Sequence, residues 1–206
     1  MPEQLLPFIV TSFAIELTPG PNMAYLAVLS VDRGRAAGLA AVAGVALGLL
    51  VLGLLAGFGL GTIVSQTRWL FELLRWGGVA YLLWLAWDSY RDAQRPLDEL
   101  PEGEKLKGFF TRGLVTNLLN PKAALFYVTV LPNFLVETSP KGAQSLALTL
   151  VYVAVATIVH AGIAVAGGSL QPILSSRQWR GRLGIVFAVL LVAVAIWLAA
   201  TTHRSW

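Results

Sequence analysis

The chain has 206 residues, of which 56% are hydrophobic and 13% are charged, and its formal net charge is +4. With a mean hydropathy of +0.70, it carries too few charged side chains to cover the surface of a soluble globule of this length. The composition therefore predicts an integral membrane protein, and the absence of cysteine excludes disulfides, thiolate metal ligands and cysteine nucleophiles.

Long apolar stretches recur along the chain, each near the ~20 residues that a helix needs to cross a bilayer core of ~30 Å. They exceed the ~10 residues of a barrel strand and lack strict alternation, so the predicted fold class is an all-α integral membrane protein. The first stretch has no preceding positive charge and no cleavage site, and we interpret it as a retained helix. The six predicted transmembrane helices lie near 5–31, 37–64, 69–90, 109–135, 145–168 and 183–201.

The basic residues between the predicted spans lie mainly on one side of the membrane. Loops rich in lysine and arginine remain in the cytoplasm, so both termini are predicted to be periplasmic or extracellular, in a bacterial inner (plasma) membrane. Because the positive charge follows this topology, no nucleic-acid partner is predicted. The predicted cytoplasmic side carries the basic residues Arg33, Arg35, Arg91, Arg95, Lys105, Lys107, Arg177, Arg180 and Arg182. The opposite side carries only Arg68, Lys141 and Arg204.

One polar segment, "RDAQRPLDELPEGEKLKG" at 91–108, separates two halves of three predicted spans each. It contains charges of both signs and two prolines, which is typical of a linker. The predicted organisation is a first three-helix repeat at 1–90, a cytoplasmic linker at 91–108 and a second three-helix repeat at 109–206. Because three crossings leave the chain on the opposite face, the two repeats would be inverted.

Proline and asparagine interrupt the first and fourth spans at corresponding places. Span 1 contains "TPGPN" (Thr18 to Asn22), and span 4 contains "NPK" (Asn120 to Lys122). Proline lacks a backbone N–H and disfavours helical geometry in the preceding residue, so each span is predicted to break into two half-helices. At 1.5 Å per residue, the half-helices before the breaks climb roughly 20 Å and 16 Å into the bilayer from opposite faces. Such paired breaks near the midplane are typical of inverted-repeat transporters.

The two breaks predict a polar pocket for a small zwitterion. New helix starts after Asn22 and Asn120 offer backbone N–H groups and partial positive charge to a carboxylate, whereas carbonyls at the preceding helix ends suit an ammonium group. The alternative is that the prolines only shape the helix bundle. The candidate substrate-binding residues are Thr18, Pro19, Gly20, Pro21, Asn22, Asn117, Asn120, Pro121 and Lys122.

Ionisable side chains also lie at predicted membrane depth. Glu16 precedes the first break by one turn and Lys122 lies within the second, where a charge costs at least ~2.5 kcal/mol. The two either pair with each other or serve a substrate or a proton, so Glu16 is a proton-coupling candidate. His160 in span 5 is a second candidate, with a hydrogen bond to a neighbouring helix as the alternative. Asp88, near the end of span 3, is predicted to pair with Arg91 at the interface.

Span 2 repeats small residues at helical spacing, which predicts close approach of helix backbones. Packing inside the chain and a homodimer interface would both use this surface, and the sequence leaves both open. The glycines concerned are Gly44, Gly48, Gly53, Gly57 and Gly61.

Three segments carry a family resemblance: "TPGPN", the following "RGRAAGLAAVAGVALG", and "TNLLNPKAALFYVTVLPNF" in the second half. In these the sequence resembles the lysine exporter (LysE/RhtB) superfamily, specifically its homoserine and threonine efflux branch. The resemblance implies an inner-membrane secondary transporter that exports amino acids in exchange for protons. Glu16 lies outside the family signatures, so the resemblance implies no role for it. The matching positions are Pro19, Gly20, Pro21, Asn22, Gly34, Arg35, Gly38, Gly44, Gly48, Asn117, Asn120, Pro121, Lys122, Phe126, Pro132 and Phe134.

The predicted function is a secondary transporter that exports a small amino acid, similar to homoserine or threonine, by proton antiport with alternating access. Efflux of a metal ion or a xenobiotic on the same fold, and a passive channel, are the alternatives. An enzyme is not predicted, because the spans hold one histidine, no cysteine and no carboxylate pair at ligand spacing. No cofactor and no resident metal are predicted, and the expected partners are the amino-acid substrate and the lipid bilayer.

Overall fold

The structure is a computed structural model, and it describes residues 2–18, 20–57, 67–94, 106–136, 140–174 and 177–201. Within those ranges the regular elements are all helical, as predicted. Pro19, the end of predicted span 2 (58–66) and most of the predicted linker (95–105) lie outside the described residues. The helices are α1 (Pro2–Leu17), α2 (Pro21–Gly57), α3 (Arg68–Gln94), α4 (Leu106–Leu118), α5 (Pro121–Leu125), a π-helical turn (Phe126–Val130), a 3-10 turn (Leu131–Phe134), α6 (Lys141–Leu174) and α7 (Arg177–Thr201).

Helix α2 is a hairpin of two arms, 21–33 and 35–57, that reverse direction at Gly34. Gly34 has φ 84° and ψ 178°, a conformation that glycine adopts and other residues rarely do. A Cβ added to Gly38 would lie 2.1 Å from Ser30 Oγ, although a continuous helix would separate these two positions by ~12 Å. The chain therefore turns back on itself at Gly34, within residues 32–36 that separate predicted spans 1 and 2.

Two helices of the described chain are long and apolar enough to cross a membrane, Pro21–Gly57 and Gly142–Gln171. A third crossing results if the bent pair Leu106–Leu118 and Lys122–Phe134, which meet at 54°, forms one span. Since α2 is a hairpin, its arm 35–57 alone supplies ~35 Å at 1.5 Å per residue. The arrangement of six spans in two inverted repeats stays a prediction.

Helix α2 packs against α4 and α6, and α3 packs against α7. Glycine permits the closest of these contacts. A Cβ at Gly113 in α4 would lie 2.1 Å from the Ala41 carbonyl oxygen in α2, and one at Gly44 would lie 2.0 Å from the Phe110 carbonyl oxygen. Helix backbones approach this closely only where no side chain intervenes. Gly44, Gly48 and Gly53 of the span 2 repeat therefore serve packing within the chain.

Both predicted interruptions are present in the backbone. Helix α1 ends at Leu17 and α2 begins at Pro21, not after Asn22 as predicted. Helix α4 ends at Leu118 and α5 begins at Pro121, directly after Asn120 as predicted. Each new helix therefore starts with a proline. At the first helical position a backbone N–H has no acceptor within the helix, so its absence from proline costs no hydrogen bond.

Candidate functional site

The second break is capped by its own sequence. Asn120 is extended (φ −87°, ψ 107°), and its side-chain oxygen accepts a hydrogen bond from the backbone N–H of Lys122 at 3.0 Å. The backbone N–H groups of Ala123 and Ala124 donate to the Asn120 carbonyl. Pro121 occupies the first helical position. The prediction of an N-cap at Asn120 is thereby confirmed.

The first break is completed from elsewhere in the chain. Thr18 donates its backbone N–H and its hydroxyl to the Ile15 carbonyl, at 3.1 and 2.6 Å, which closes the end of α1. The Gly20 carbonyl accepts from the backbone N–H of Ala24 at 3.0 Å and so begins the first turn of α2. The carbonyl of Thr18 receives its hydrogen bond from the second half of the sequence.

Two side-chain hydrogen bonds join the breaks. Asn22 Nδ2 donates to Asn117 Oδ1 at 2.8 Å, across a separation of 95 residues, and Lys122 Nζ donates to the Thr18 carbonyl at 2.8 Å. Asn22 and Asn117 are buried. Gly20 leaves room for the lysine, since a Cβ there would lie 3.3 Å from Lys122 Cδ. Segments that are distant in sequence thus form one polar junction inside the protein.

Glu16, one turn before the first break, is buried against α6. Tyr152 donates its hydroxyl to Glu16 Oε1 at 2.5 Å, and His160 Nε2 lies 3.2 Å from Glu16 Oε2. The sequence left open whether Glu16 and Lys122 pair with each other or serve a substrate or a proton. In the structure Glu16 contacts Tyr152 and His160, whereas Lys122 donates to the Thr18 carbonyl. The two proton-coupling candidates, Glu16 and His160, belong to one cluster.

Tyr152 was not among the residues predicted from the sequence. It lies on the same buried face of α6 as Ala156 and His160, which follow at four-residue intervals, one helical turn each. The Tyr152 ring stacks on Phe126 with centroids 3.6 Å apart, so its hydroxyl is held in position. The sequence did offer one indication of its role, because Tyr152 lies in an apolar span on the same helical face as His160.

A small pocket lies between the Glu16 cluster and the two breaks. It leaves space for about one water molecule. Asn22 Oδ1, Asn117 Nδ2 and His160 Nδ1 are buried and have no hydrogen-bond partner among the described residues. Since buried polar atoms are normally paired, these atoms offer binding capacity to water or a ligand. The lining residues are Glu16, Gly20, Asn22, Met23, Leu49, Asn120, Lys122, Ala123, Tyr152 and His160.

The predicted substrate-binding residues meet at this junction wherever the structure describes them. The structure shows that these residues lie close together, whereas their role in substrate binding stays a prediction. Among the described residues, no group of three histidine, aspartate or glutamate side chains is close enough to hold a metal ion. Thr18, Gly20, Asn22, Asn117, Asn120 and Lys122 make the contacts above, Pro21 and Pro121 begin the new helices, and Pro19 lies outside the described residues.

The predicted ion pair of Asp88 with Arg91 is wrong. Asp88 Oδ2 accepts from Arg112 Nη1 of α4 at 2.9 Å, because the neighbouring helix brings a guanidinium closer than the helical i, i+3 partner.

The buried cation Arg75 was not among the residues predicted from the sequence. It is buried in α3 and donates to the Ala199 carbonyl, so it binds the C-terminal end of α7.

Apolar helices, two interrupted helices and a polar pocket at their junction are together the features of a membrane translocator. Comparison with known families shows the same class. The chain belongs to the LysE type translocator family, which matches residues 13–202. The family predicted from the sequence motifs is therefore confirmed, and it is a family of membrane translocators and not of enzymes.

Relatives of known name share most of the length of this chain. A homoserine/homoserine lactone efflux protein of Salmonella typhimurium is 30% identical over 197 residues, which are 95% of this chain and 96% of the relative. A leucine efflux protein of Klebsiella pneumoniae is 31% identical over 186 residues, 87% of this chain and 86% of the relative. An uncharacterized membrane protein of Escherichia coli, YahN, is 36% identical over 143 residues, 68% of this chain and 62% of the relative. No solved structure gave a significant match.

Proposed function

We propose that this protein is a secondary transporter that exports a small amino acid from a bacterial cell in exchange for protons. Family membership supports transport, and the names of the homoserine/homoserine lactone and leucine efflux relatives support an amino-acid substrate. The observation that carries the proposal is the junction of the two breaks, where the Lys122 ammonium and the Glu16 carboxylate line one pocket. Opposite charges in one small pocket are complementary to a zwitterion.

The substrate carboxylate binds beside the second break. Lys122 Nζ, which donates to the Thr18 carbonyl at 2.8 Å, turns from that carbonyl to the carboxylate. The helix starts after Gly20 and Asn120 add partial positive charge at the same place. The Thr18 carbonyl, released from the lysine, then accepts a hydrogen bond from the substrate ammonium. This exchange leaves no charged group unpaired, which matters because an uncompensated buried charge is strongly destabilising.

The Glu16 cluster carries the coupling proton. The Tyr152 hydroxyl and His160 Nε2 both lie within reach of the carboxylate, at 2.5 and 3.2 Å. Protonation of Glu16 removes the negative charge that attracts the substrate ammonium, so proton uptake on one side of the membrane favours release of the amino acid there. Since linkage is reciprocal, substrate binding favours loss of the proton.

Alternating access follows from two inverted halves, 1–90 and 109–206, that rock against each other around the breaks. Two of the main helix contacts support this, because they pair corresponding members of the two predicted repeats: α2 with α6, and α3 with α7. The remaining main contact, α2 with α4, joins the two halves without pairing corresponding spans. The small size of the pocket suits a closed state between the inward-open and outward-open forms. In this proposal the protein lies in the inner membrane with both termini outside the cytoplasm, and a single chain suffices for transport.

Transport by the purified protein tests the proposal. Proteoliposomes would be loaded with labelled L-homoserine, L-threonine or L-leucine, and efflux would be timed with and without an imposed pH gradient. We expect saturable efflux of at least one amino acid that the gradient accelerates and that a protonophore slows. Protein-free liposomes give the leak rate. Saturable flux of a metal ion or a xenobiotic alone, non-saturable flux of a channel, or no gradient-dependent flux of any amino acid by folded protein would refute the proposal.

A further inference from the structure

A second pocket lies between α2, α3, α4 and α7, apart from the Glu16 cluster. It is larger than the pocket at the breaks, and its walls carry two carboxylates and two guanidinium groups. These charges come from three different helices, so the pocket is built by the tertiary fold and not by one amphipathic face. The residues that define it are Tyr25, Leu29, Asp32, Asp88, Phe109 and Arg112.

Asp88 and Arg112 join the two predicted halves across this second pocket. Asp88 belongs to α3 and Arg112 to α4, and their side chains are 29% and 26% exposed at a separation of 2.9 Å. The Arg112 guanidinium also lies over the Trp84 ring, 5.5 Å from its centroid, one helical turn from Asp88. The ion pair is therefore accessible to a small solute and at the same time held in a defined position.

One face of α2 connects the two pockets. Asn22, Tyr25, Leu29 and Asp32 follow at spacings of three or four residues and so lie along one side of the arm 21–33, over ~15 Å. Asn22 lines the first pocket, and the other three residues line the second. Tyr25 and Leu29 are buried and lie between Asn22 and Asp32 on this face. A solute that moves past these two side chains passes from one charged pocket to the other.

We propose that the second pocket is an access site that binds the transported amino acid before it reaches the breaks, an inference that rests on the proposed export function. The ammonium group binds Asp88 and the carboxylate binds Arg112. A zwitterion is the class of ligand that fits, because it replaces both members of the ion pair at once.

Binding at the access site also weakens the link between the halves. An amino acid between Asp88 and Arg112 interrupts the ion pair that joins α3 to α4, and it stabilises whichever arrangement of the helices separates those two side chains. Arrival of the substrate thereby favours movement of the halves and opening of the path past Tyr25 and Leu29. The amino acid supplies the differential binding free energy that such a population shift requires.

Photo-leucine, a diazirine analogue of L-leucine, tests the access site on the purified full-length protein. Irradiation followed by peptide mass spectrometry should locate adducts in both pockets. Excess L-leucine or L-homoserine should suppress them, whereas N-acetyl-leucine, which lacks the ammonium group, should not. Combining Asp88→Asn with Arg112→Gln should reduce adducts in the second pocket by about tenfold, as expected for loss of a charged hydrogen bond, and should spare adducts beside Lys122. The variant Lys122→Met should do the reverse.

Two further variants sharpen the test. Glu72→Gln is a matched control, because Glu72 also pairs with an arginine, Arg75, at 3.1 Å, but within α3; it should leave both sets of adducts unchanged. The reversed pair, Asp88→Arg with Arg112→Asp, should retain adducts in the second pocket, because a zwitterion matches either orientation. Loss of labelling beside Lys122 would show that the neutral double variant does not fold. In that case the reversed pair takes its place in the test.

The outcomes separate this inference from the proposed function. Adducts confined to residues beside Lys122, or adducts in the second pocket that survive neutralisation of the pair, overturn the access site and leave amino-acid export standing. Absence of competed adducts from both pockets, together with absence of leucine and homoserine flux in proteoliposomes, overturns both.

Discussion

The two breaks interrupt the backbone in the same way but depend on different partners. At the second break, Asn120 caps the new helix through the backbone N–H of Lys122, two residues away. At the first break, the Thr18 carbonyl is bound by the Lys122 side chain, 104 residues away. The second break is therefore complete within its own segment, whereas the first is complete only when both halves of the sequence come together.

In the proposed transport cycle, this difference separates a fixed contact from one that changes. A local cap survives any movement of the halves, because both partners move together. The bond from Lys122 to Thr18 joins residues of the two predicted halves, so in the proposal a substrate or a rocking motion breaks it. We therefore expect the second break to keep its geometry through a transport cycle and the first to change its partners.

Replacing Lys122 should have the largest effect. Lys122→Met keeps the length of the side chain and removes the ammonium group that binds Thr18 and, in the proposal, the substrate carboxylate. Loss of a charged hydrogen bond at ~1.5–3 kcal/mol predicts a fall of about 10- to 150-fold in the initial rate of pH-driven efflux from proteoliposomes. The control is Lys107→Met on the exposed side of α4. A Lys122→Met protein that transports at the wild-type rate would remove the lysine from the mechanism.

Neutralising Glu16 should separate transport from the pH gradient. In Glu16→Gln the side chain keeps its shape, but it no longer binds and releases a proton. We expect the acceleration of efflux by a pH gradient to fall by about 30-fold, within the usual range of coupling free energies, while exchange of labelled for unlabelled amino acid continues. Tyr152→Phe, which removes only a donor to Glu16, should keep the gradient dependence. Equal acceleration of Glu16→Gln and wild-type protein would place the proton elsewhere.

The sequence predicted the features that are encoded locally. Asn120 has the side chain and the position of an N-cap, Pro121 follows it at the first helical position, and the apolar runs indicate helices. The family motifs fall on the same two breaks. In the described ranges these predictions agree with the structure because each depends on residues within one or two turns of each other.

Features that depend on tertiary contacts were not predictable in this way. Tyr152 is important because α1 brings Glu16 to it, and Asp88 pairs with Arg112 because α4 lies beside α3. Neither neighbour is visible in one sequence. The reversal between spans 1 and 2 was predicted, but its form was not: the chain turns at the single residue Gly34. A carboxylate and a guanidinium on different helices can meet only after packing has fixed which helices are neighbours.

Crowding the contact between the breaks should have a moderate effect. A Cβ at Gly48 would lie 2.7 Å from Asn117 Nδ2, so Gly48→Ala should push Asn117 away from Asn22. Overpacking of this kind costs about 1.5 kcal/mol, which we expect as a lower unfolding temperature and slower efflux. Gly57→Ala is a matched control in the same arm, because its Cβ would meet only Ser145 Oγ, at an ordinary 3.5 Å. If both alanine variants lose the same amount of stability and efflux, the contact between Asn22 and Asn117 contributes nothing specific to either.

Removing the local cap should have the smallest effect, and it tests whether the second break is self-contained. Asn120→Ala deletes the acceptor for the Lys122 N–H and should cost ~1 kcal/mol, which lowers the unfolding temperature by about 2–4 °C for a chain of this size. Asn120→Ser supplies another capping oxygen and should recover most of that loss. If the cap is the only role of Asn120, efflux should follow stability in both variants. A severe loss of efflux in Asn120→Ser at normal stability would instead mean that the Asn120 amide contacts the substrate, and then the second break would change partners during transport as the first does.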